Sequence, residues 1–228
     1  MQTEPIDLVL FGAGGDLARR KLLPALMHLE FDELLPEKLR ILALSREETN
    51  VENFMAGQKA TLQAYLGEQR WSKALWETFC QRVHYLRVEF TEVDQYEALH
   101  QELDPAHTSV FYFATPPSLF QGICENLSAA GCLNQNSRVV LEKPIGRNFD
   151  SCKEVNQTVG EYFEEERIYR IDHYLGKETV QNLLALRFAN RFINAQWDNT
   201  CIDHVQITVA ETVGSDGRLP SYDQVGPP

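Results

Sequence analysis

At residues 6–17 the sequence is IDLVLFGAGGDL, a short apolar run that ends at a group of glycines. The run predicts a buried strand of a parallel sheet. Residues 18–30 then place apolar side chains at helical spacing, with Pro24 near the helix start or at a kink. This succession indicates a nucleotide site, because glycine lets the backbone approach a phosphate and a helix N-terminus attracts negative charge.

The glycines depart from the usual GxGxxG fingerprint of dinucleotide-binding turns. Gly12 and Gly14 match it, Gly15 is additional, and Leu17 stands where the third glycine belongs. Glycine also serves in ordinary strand-to-helix turns, so that interpretation stays open beside the nucleotide site.

Strands and helices alternate beyond this point. Buried strands are predicted at 39–44, 83–90, 109–114, 139–141 and 167–171, and helices at 51–82, 94–103, 119–130 and 150–163. This alternation predicts an α/β fold, a Rossmann-like doubly wound parallel sheet. Ligands of such sheets bind outside the C-terminal ends of the strands.

The pattern changes after residue 172. Residues 178–192 predict a helix, and residues 202–211 alternate between apolar and polar as in an antiparallel strand with one wet face. We therefore expect a first domain at 1–172 and, at 173–228, the incomplete start of an α+β domain with an antiparallel sheet. A strand at 202–211 without partners would be an aggregation hazard, and a protease-sensitive tail is expected after about residue 175.

Composition narrows the functional classes. The 228 residues include 21 Lys and Arg against 33 Asp and Glu, a formal net charge of −12. This balance argues against nucleic-acid or anionic-membrane binding and requires a local basic cluster for any anionic ligand. The five cysteines form no CxxC pair, which predicts reduced thiols in a cytoplasmic protein and no metal site. No signal peptide or membrane span is expected.

Candidate binding residues follow the predicted strands. Arg46 comes after the second strand, where an arginine favours the 2′-phosphate of NADP over the 2′-hydroxyl of NAD, although Glu47 and Glu48 come next. Thr115-Pro116-Pro117 and Glu142-Lys143-Pro144 end two further strands, and such a lysine can hold a phosphate or a substrate hydroxyl. A solvated arginine and two plain strand terminators are the alternatives.

The densest polar cluster is RIDHYLGKE at residues 170–178. On a helical turn His173 and Lys177 would share one face, and with Tyr174 they would clamp a phosphate monoester. Asp172 could orient a catalytic histidine, or simply cap a helix.

These motifs, in their order, closely resemble bacterial glucose-6-phosphate dehydrogenase. The resemblance runs from about residue 6 to about residue 218. The matching segments are GAGGDLARRKLLPAL (12–26), Ser45-Arg46, FATPP (113–117), EKPIG (142–146), RIDHYLGKE and LLALRFAN (183–190). The resemblance implies oxidation of glucose 6-phosphate to 6-phosphogluconolactone with NADP, in the pentose phosphate pathway, by a homo-oligomer.

The resemblance also implies roles for individual residues. The coenzyme would be held by Gly12, Ala13, Gly14, Gly15, Asp16, Leu17, Arg46, Glu89, Phe90, Thr115, Pro116 and Lys143. The sugar phosphate would be bound by Lys143, His173, Tyr174, Lys177 and Glu211. Asp172 would pair with the family's catalytic histidine, which removes the C1 hydroxyl proton as hydride leaves.

That histidine lies in an RDxxQNH segment in the family, and residues 217–228, GRLPSYDQVGPP, contain none. Asp172 would then have no histidine to orient, and most of the dimerisation domain would be missing. Two expectations follow: a glucose-6-phosphate dehydrogenase, or a catalytically inactive NADP-binding fragment. Another sugar dehydrogenase family with a Glu-Lys-Pro turn is a third reading, against which RIDHYLGKE argues.

Overall fold

The computed structural model describes residues 4–146, 148–172 and 174–208. Contacts within the chain define two compact units, one ending at Ile171 and the other starting at Asp172. Each is described separately below.

The first unit is built on a parallel sheet. Its described strands are β1 (Ile6–Phe11), β2 (Leu39–Ser45), β3 (Val83–Arg87), β4 (Thr108–Phe113), β5 (Arg138–Leu141) and β6 (Ile168–Arg170). Their order across the sheet is β3-β2-β1-β4-β5-β6, and every pair is parallel. The order reverses between β1 and β4, which places a crevice at their C-terminal ends.

Helices connect the strands. They are α1 (Leu23–Phe31), α2 (Val51–Leu66), α3 (Lys73–Arg82), α4 (Tyr96–Glu102), α5 (Phe120–Ala129) and α6 (Phe149–Gly160). A π-helical turn, Ala18–Leu22, runs directly into α1, and Pro24, which has no N–H to donate, lies just after this turn.

Alternate residues of the central strands enter two separate cores. Val9 and Phe11 of β1 pack with α4, α5 and α6, whereas Leu10 packs with α1, α2 and α3. All three side chains are almost fully buried. This two-sided burial is why the strands are continuously apolar, and it confirms the predicted doubly wound sheet.

At the N-terminal end of the sheet a buried carboxylate joins three segments. Asp7 accepts two hydrogen bonds from the Arg40 guanidinium, both at 2.8 Å, and one from His107 Nδ1 at 2.8 Å. The backbone N–H of Asp104 donates to it as well. The network ties β1 to β2 and to the loop before β4.

The second unit contains two described helices, α7 (Glu178–Phe188) and α8 (Arg191–Ala195). Neither buries a residue fully, and large apolar side chains are exposed on both. They are Leu183, Leu184, Leu186, Phe188 and Phe192.

Two predicted helices need correction. The helix expected at 51–82 is two helices, because Gly67 ends α2 with a φ of 80° and the Ser72 hydroxyl caps α3 by accepting from Leu75 N–H. The helix expected at 178–192 is also two, with Asn190 in extended backbone between them.

The strand predicted at 202–211 is wrong within the described residues. Residues 202–208 have no regular structure, and 209–211 lie outside the described range. A strand needs a hydrogen-bonded neighbour, and no described segment pairs with this one.

All five cysteines are unpaired, as predicted. Burial raises the pKa of the Cys124 and Cys132 thiols to about 12, which fits the predicted packing role. Among the described residues no helix is long and apolar enough to cross a membrane.

Candidate coenzyme site

A cleft of about 570 Å³ lies at the C-terminal ends of β1, β2 and β4. The loop after β3 supplies the remaining wall. The lining residues are Gly12, Gly14, Gly15, Ser45, Arg46, Glu47, Glu89, Phe90, Thr91, Ala114, Thr115, Pro116, Ser118 and Leu119. The cleft therefore occupies the crevice that the strand order creates.

The glycine turn is held tightly against its neighbours. The N–H groups of Gly12 and Ala13 both donate to the Leu44 carbonyl, at 3.1 and 2.9 Å. Gly12 has a φ of 84°, and a Cβ there would lie 2.7 Å from the Ala114 carbonyl oxygen. A side chain is thus excluded twice, by backbone conformation and by space.

Gly14 lies against the residues that follow β2 and has little room for a side chain. A Cβ at this position would lie 2.7 Å from Ser45 Oγ and 3.1 Å from Glu47 Oε1. The absence of side chains keeps the floor of the cleft at backbone level, where a pyrophosphate can approach the turn closely.

Thr115 contributes a polar atom without a partner. Its Oγ1 is buried and makes no hydrogen bond in the described part of the chain, although Thr115 borders the cleft. A buried hydroxyl normally finds a partner, so a polar group bound in the cleft would satisfy it. Together with the glycine floor, this atom fits a bound dinucleotide.

The turn after β5 carries Lys143. Its peptide bond to Pro144 is cis. The preceding residue, Glu142, accepts a 2.5 Å hydrogen bond from the Tyr112 hydroxyl of β4. Burial raises the pKa of Tyr112, and the hydrogen bond and negative charge of Glu142 raise it further, so this phenol stays protonated and keeps donating. The bond anchors the start of the Lys143 turn to β4.

In the second unit, the Asp172 carboxylate accepts from the Tyr174 N–H at 3.0 Å. Lys177 Nζ lies 4.1 Å from the centroid of the Tyr174 ring, in cation–π contact. Residues 174–176 form a turn and α7 starts only at Glu178, so the helical turn expected to carry Lys177 is wrong, and Asp172 caps a turn rather than a helix.

The structure brings most predicted coenzyme residues together. Gly12, Gly14, Gly15, Arg46, Glu89, Phe90, Thr115 and Pro116 all line the cleft. Ala13, Asp16, Leu17 and Lys143 are not in its lining: Ala13 is buried in the core, and Asp16 pairs with Arg20 on the surface. His173 and Glu211 lie outside the described residues.

Sequence reasoning missed several lining residues, of which Glu47 is the most consequential. Its place after Arg46 was visible, but its contact with the glycine turn depends on the pairing of β1 with β2. No group of three metal-ligating side chains occurs among the described residues.

The sheet order and the glycine turn at its switch point define a dinucleotide-binding domain of the Rossmann type. Comparison with known proteins narrows the class. Residues 9–182 match the family model for the NAD binding domain of glucose-6-phosphate dehydrogenase, and residues 184–227 match its C-terminal domain. The chain belongs to the glucose-6-phosphate dehydrogenase family.

Individual relatives agree. Glucose-6-phosphate 1-dehydrogenase of Dickeya dadantii is 46% identical over 96% of this chain and 45% of its own length. That of Gluconobacter oxydans is 46% identical over 99% of this chain and 47% of its own length. This chain therefore spans about half the length of the curated relatives it matches.

Solved structures give the same result. Glucose-6-phosphate 1-dehydrogenase from Mycobacterium avium superposes with a TM-score of 0.88 at 32% identity, over 98% of this chain and 48% of that one. A glucose-6-phosphate dehydrogenase in complex with glucose 6-phosphate gives a TM-score of 0.78 at 31% identity, over 88% of this chain and 43% of that one.

Proposed function

We propose that this chain is the coenzyme-binding part of an enzyme that oxidises D-glucose 6-phosphate to 6-phospho-D-glucono-1,5-lactone with NADP. The observation that carries the proposal is the cleft at the sheet switch point, with a floor of glycine backbone and Arg46 at its rim. Family membership supplies the substrate class. In domain terms, residues 1–172 bind NADP and residues 173–228 begin the substrate and dimerisation domain.

In this proposal each group of residues around the cleft binds a different part of NADP. NADP, when bound, supplies the nicotinamide that takes the hydride. The turn from Gly12 to Leu17 holds the pyrophosphate, and Arg46 binds the 2′-phosphate through its planar guanidinium. Thr115 and Pro116 border the nicotinamide. Glu89 and Phe90 contact the coenzyme from the loop after β3.

The sugar side rests on the turn of Lys143 and on the second unit. Lys143 would contact both coenzyme and sugar, while His173, Tyr174 and Lys177 would hold the sugar phosphate. Glu211 would bind a sugar hydroxyl, and Asp172 would orient the histidine that acts as general base. These assignments follow the family pattern position by position.

The test measures binding and turnover on the same sample. NADP is titrated into the 228-residue chain by calorimetry, and NADPH formation with glucose 6-phosphate is followed at 340 nm. We expect NADP binding that Arg46→Ala weakens about tenfold or more, since a charged hydrogen bond to phosphate is lost. Arg87→Ala, an exposed arginine at the end of β3 outside the cleft lining, is the matched control.

Absence of NADP binding would contradict the proposal. Binding without turnover would favour the second candidate, an NADP-binding chain without activity. A cytoplasmic location, assembly with further copies of the chain and no binding to nucleic acid or membranes belong to the same proposal.

A further inference from the structure

Glu47 places a carboxylate beside the glycine turn. Its Oε1 lies 3.1 Å from the position that a Cβ on Gly14 would take. Its backbone is fixed on both sides: the N–H donates to Ser45 Oγ at 3.3 Å, and the carbonyl accepts from the Tyr85 hydroxyl at 2.6 Å. The backbone of Glu47 is therefore held in place, and its exposed side chain lines the cleft.

Glu47 also separates the cleft from a smaller cavity. It lines both the main cleft and a side cavity of about 110 Å³ to which Arg19 contributes. Arg46 lines the main cleft directly beside it. Within the described residues neither Arg46 nor Glu47 forms an ion pair within 4 Å, so both charges are available to a ligand in the cleft.

The two neighbours offer opposite chemistry at the end of β2. In Rossmann domains an acidic residue near this point accepts a hydrogen bond from the ribose 2′-hydroxyl of NAD, whereas an arginine accommodates the 2′-phosphate of NADP. This chain carries both, one after the other. The 2′ substituent of a bound dinucleotide would meet a cation and an anion together.

We propose that Glu47 is a specificity-determining residue of the cleft, one that accepts a hydrogen bond from a ribose 2′-hydroxyl and repels a 2′-phosphate. The balance between Arg46 and Glu47 then sets the preference for NADP over NAD. This inference rests on the coenzyme binding proposed above. It extends that proposal, because Glu47 would limit the preference for NADP that Arg46 creates.

The size of the effect follows from exposure. Both side chains are exposed, so solvent screens the repulsion between Glu47 and a 2′-phosphate. The carboxylate of Glu47 and a single charge several ångströms away in water repel each other only weakly. Because the 2′-phosphate carries about two charges, we expect removal of the Glu47 charge to change the preference for NADP over NAD roughly tenfold. The effect shrinks as salt is added.

The experiment titrates NADP and NAD separately into the wild-type chain, Glu47→Gln and Glu48→Gln by calorimetry, at low and high salt. Glu47→Gln should tighten NADP, weaken NAD and raise the ratio of the two dissociation constants roughly tenfold at low salt, less at high salt. Glu48→Gln is the matched control, because Glu48 lies 3.9 Å from Arg87 and is not in the cleft lining. It should leave the ratio unchanged.

Two results would overturn the inference in distinguishable ways. If NADP binds to all three proteins and Glu47→Gln moves the ratio no more than Glu48→Gln does, the role of Glu47 is refuted and the proposed coenzyme site stands. If neither coenzyme binds to any of the three, the proposed coenzyme site fails, and this inference fails with it.

Discussion

At each end of β1 one residue is constrained by its surroundings in the fold. At the C-terminal end Gly12 has a positive φ and no room for a side chain. At the N-terminal end Asp7 is fully buried yet satisfied by Arg40 and His107. A glycine is visible in a sequence, but the carbonyl that excludes its Cβ is not, because Ala114 is a distant residue brought close by the pairing of β1 with β4.

Gly12→Ala should lower both stability and coenzyme binding. The methyl group would meet the Ala114 carbonyl in a backbone conformation that favours glycine, at a cost of about 1–3 kcal/mol in the free energy of unfolding. Urea denaturation measures this cost. Gly122→Ala, in α5 with nothing within 4 Å of the new Cβ, should be neutral or stabilising. Equal losses in both variants would contradict the steric argument.

We predict that the buried Asp7 carboxylate makes the free energy of unfolding fall in acid. Burial alone would raise the pKa of Asp7, but hydrogen bonds from Arg40, His107 and the Asp104 backbone outweigh it and lower the pKa. The unfolded chain therefore takes up the proton first, so this contribution is present above about pH 4 and disappears as the pH falls further.

Asp7→Asn should reduce the free energy of unfolding by about 3 kcal/mol at pH 7, because Arg40 loses its buried partner. The variant should also show a shallower decline of stability below pH 4 in urea titrations. Asp16→Asn, at an exposed carboxylate, is the control. A decline as steep in Asp7→Asn as in the wild type would assign the acid sensitivity to other groups.

At the scale of elements, the sequence predicted every strand of the described sheet to within a few residues, because strands buried on both faces are continuously apolar. Helix breaks were missed at Gly67–Ser72 and near Asn190, although a glycine C-cap and a serine N-cap were present at the first break. The strand prediction at 202–208 was wrong for another reason. Alternation of apolar and polar residues indicates which face of a strand would be apolar, but a strand forms only where a second strand pairs with it. Likewise, the sequence identified the glycine turn and Arg46 but not the contact between Glu47 and Gly14.

Tyr112 links β4 to the Lys143 turn, and its removal should be measurable. Tyr112→Phe keeps the ring and removes the hydrogen bond to Glu142, which should lower the free energy of unfolding by about 1–2 kcal/mol. It should also weaken NADP binding if the turn takes part in it. Tyr65→Phe, on the exposed face of α2, is the control.

We also predict that the hydrogen-bonded pair of Tyr112 and Glu142 makes the folded chain less stable at high pH. Since the pKa of Tyr112 is raised in the folded chain, the unfolded chain loses its phenolic proton first, and stability falls as the pH rises above about 10. Urea denaturation at pH 9 and above pH 10 should show this decline in the wild type and less of it in Tyr112→Phe. An identical decline in both would exclude Tyr112 as its source.

At the scale of the whole molecule, both hydrophobic cores are complete by Ile168. The second unit, in contrast, exposes apolar residues along α7 and α8. A shortened chain of residues 1–171 should therefore unfold cooperatively in urea and bind NADP as tightly as residues 1–228 do. Limited proteolysis of the 228-residue chain should first cut after Asp172, leaving a resistant product that ends near Ile171. A non-cooperative transition of the shortened chain would show that its fold depends on the second unit.

The central place of β1 has a consequence for synthesis. This strand is synthesised before both of its partners: it pairs with β2 on one side and, on the other, with β4, which begins only at Thr108. Two of the helices that cover Val9, Phe11, Leu42 and Leu44 in the finished core, α5 and α6, follow β4 in the chain, so these side chains stay partly uncovered until after β4 has been made. A nascent chain therefore passes through a half-built sheet with one apolar face open, and this is the interval in which a chaperone that recognises apolar surface would bind it.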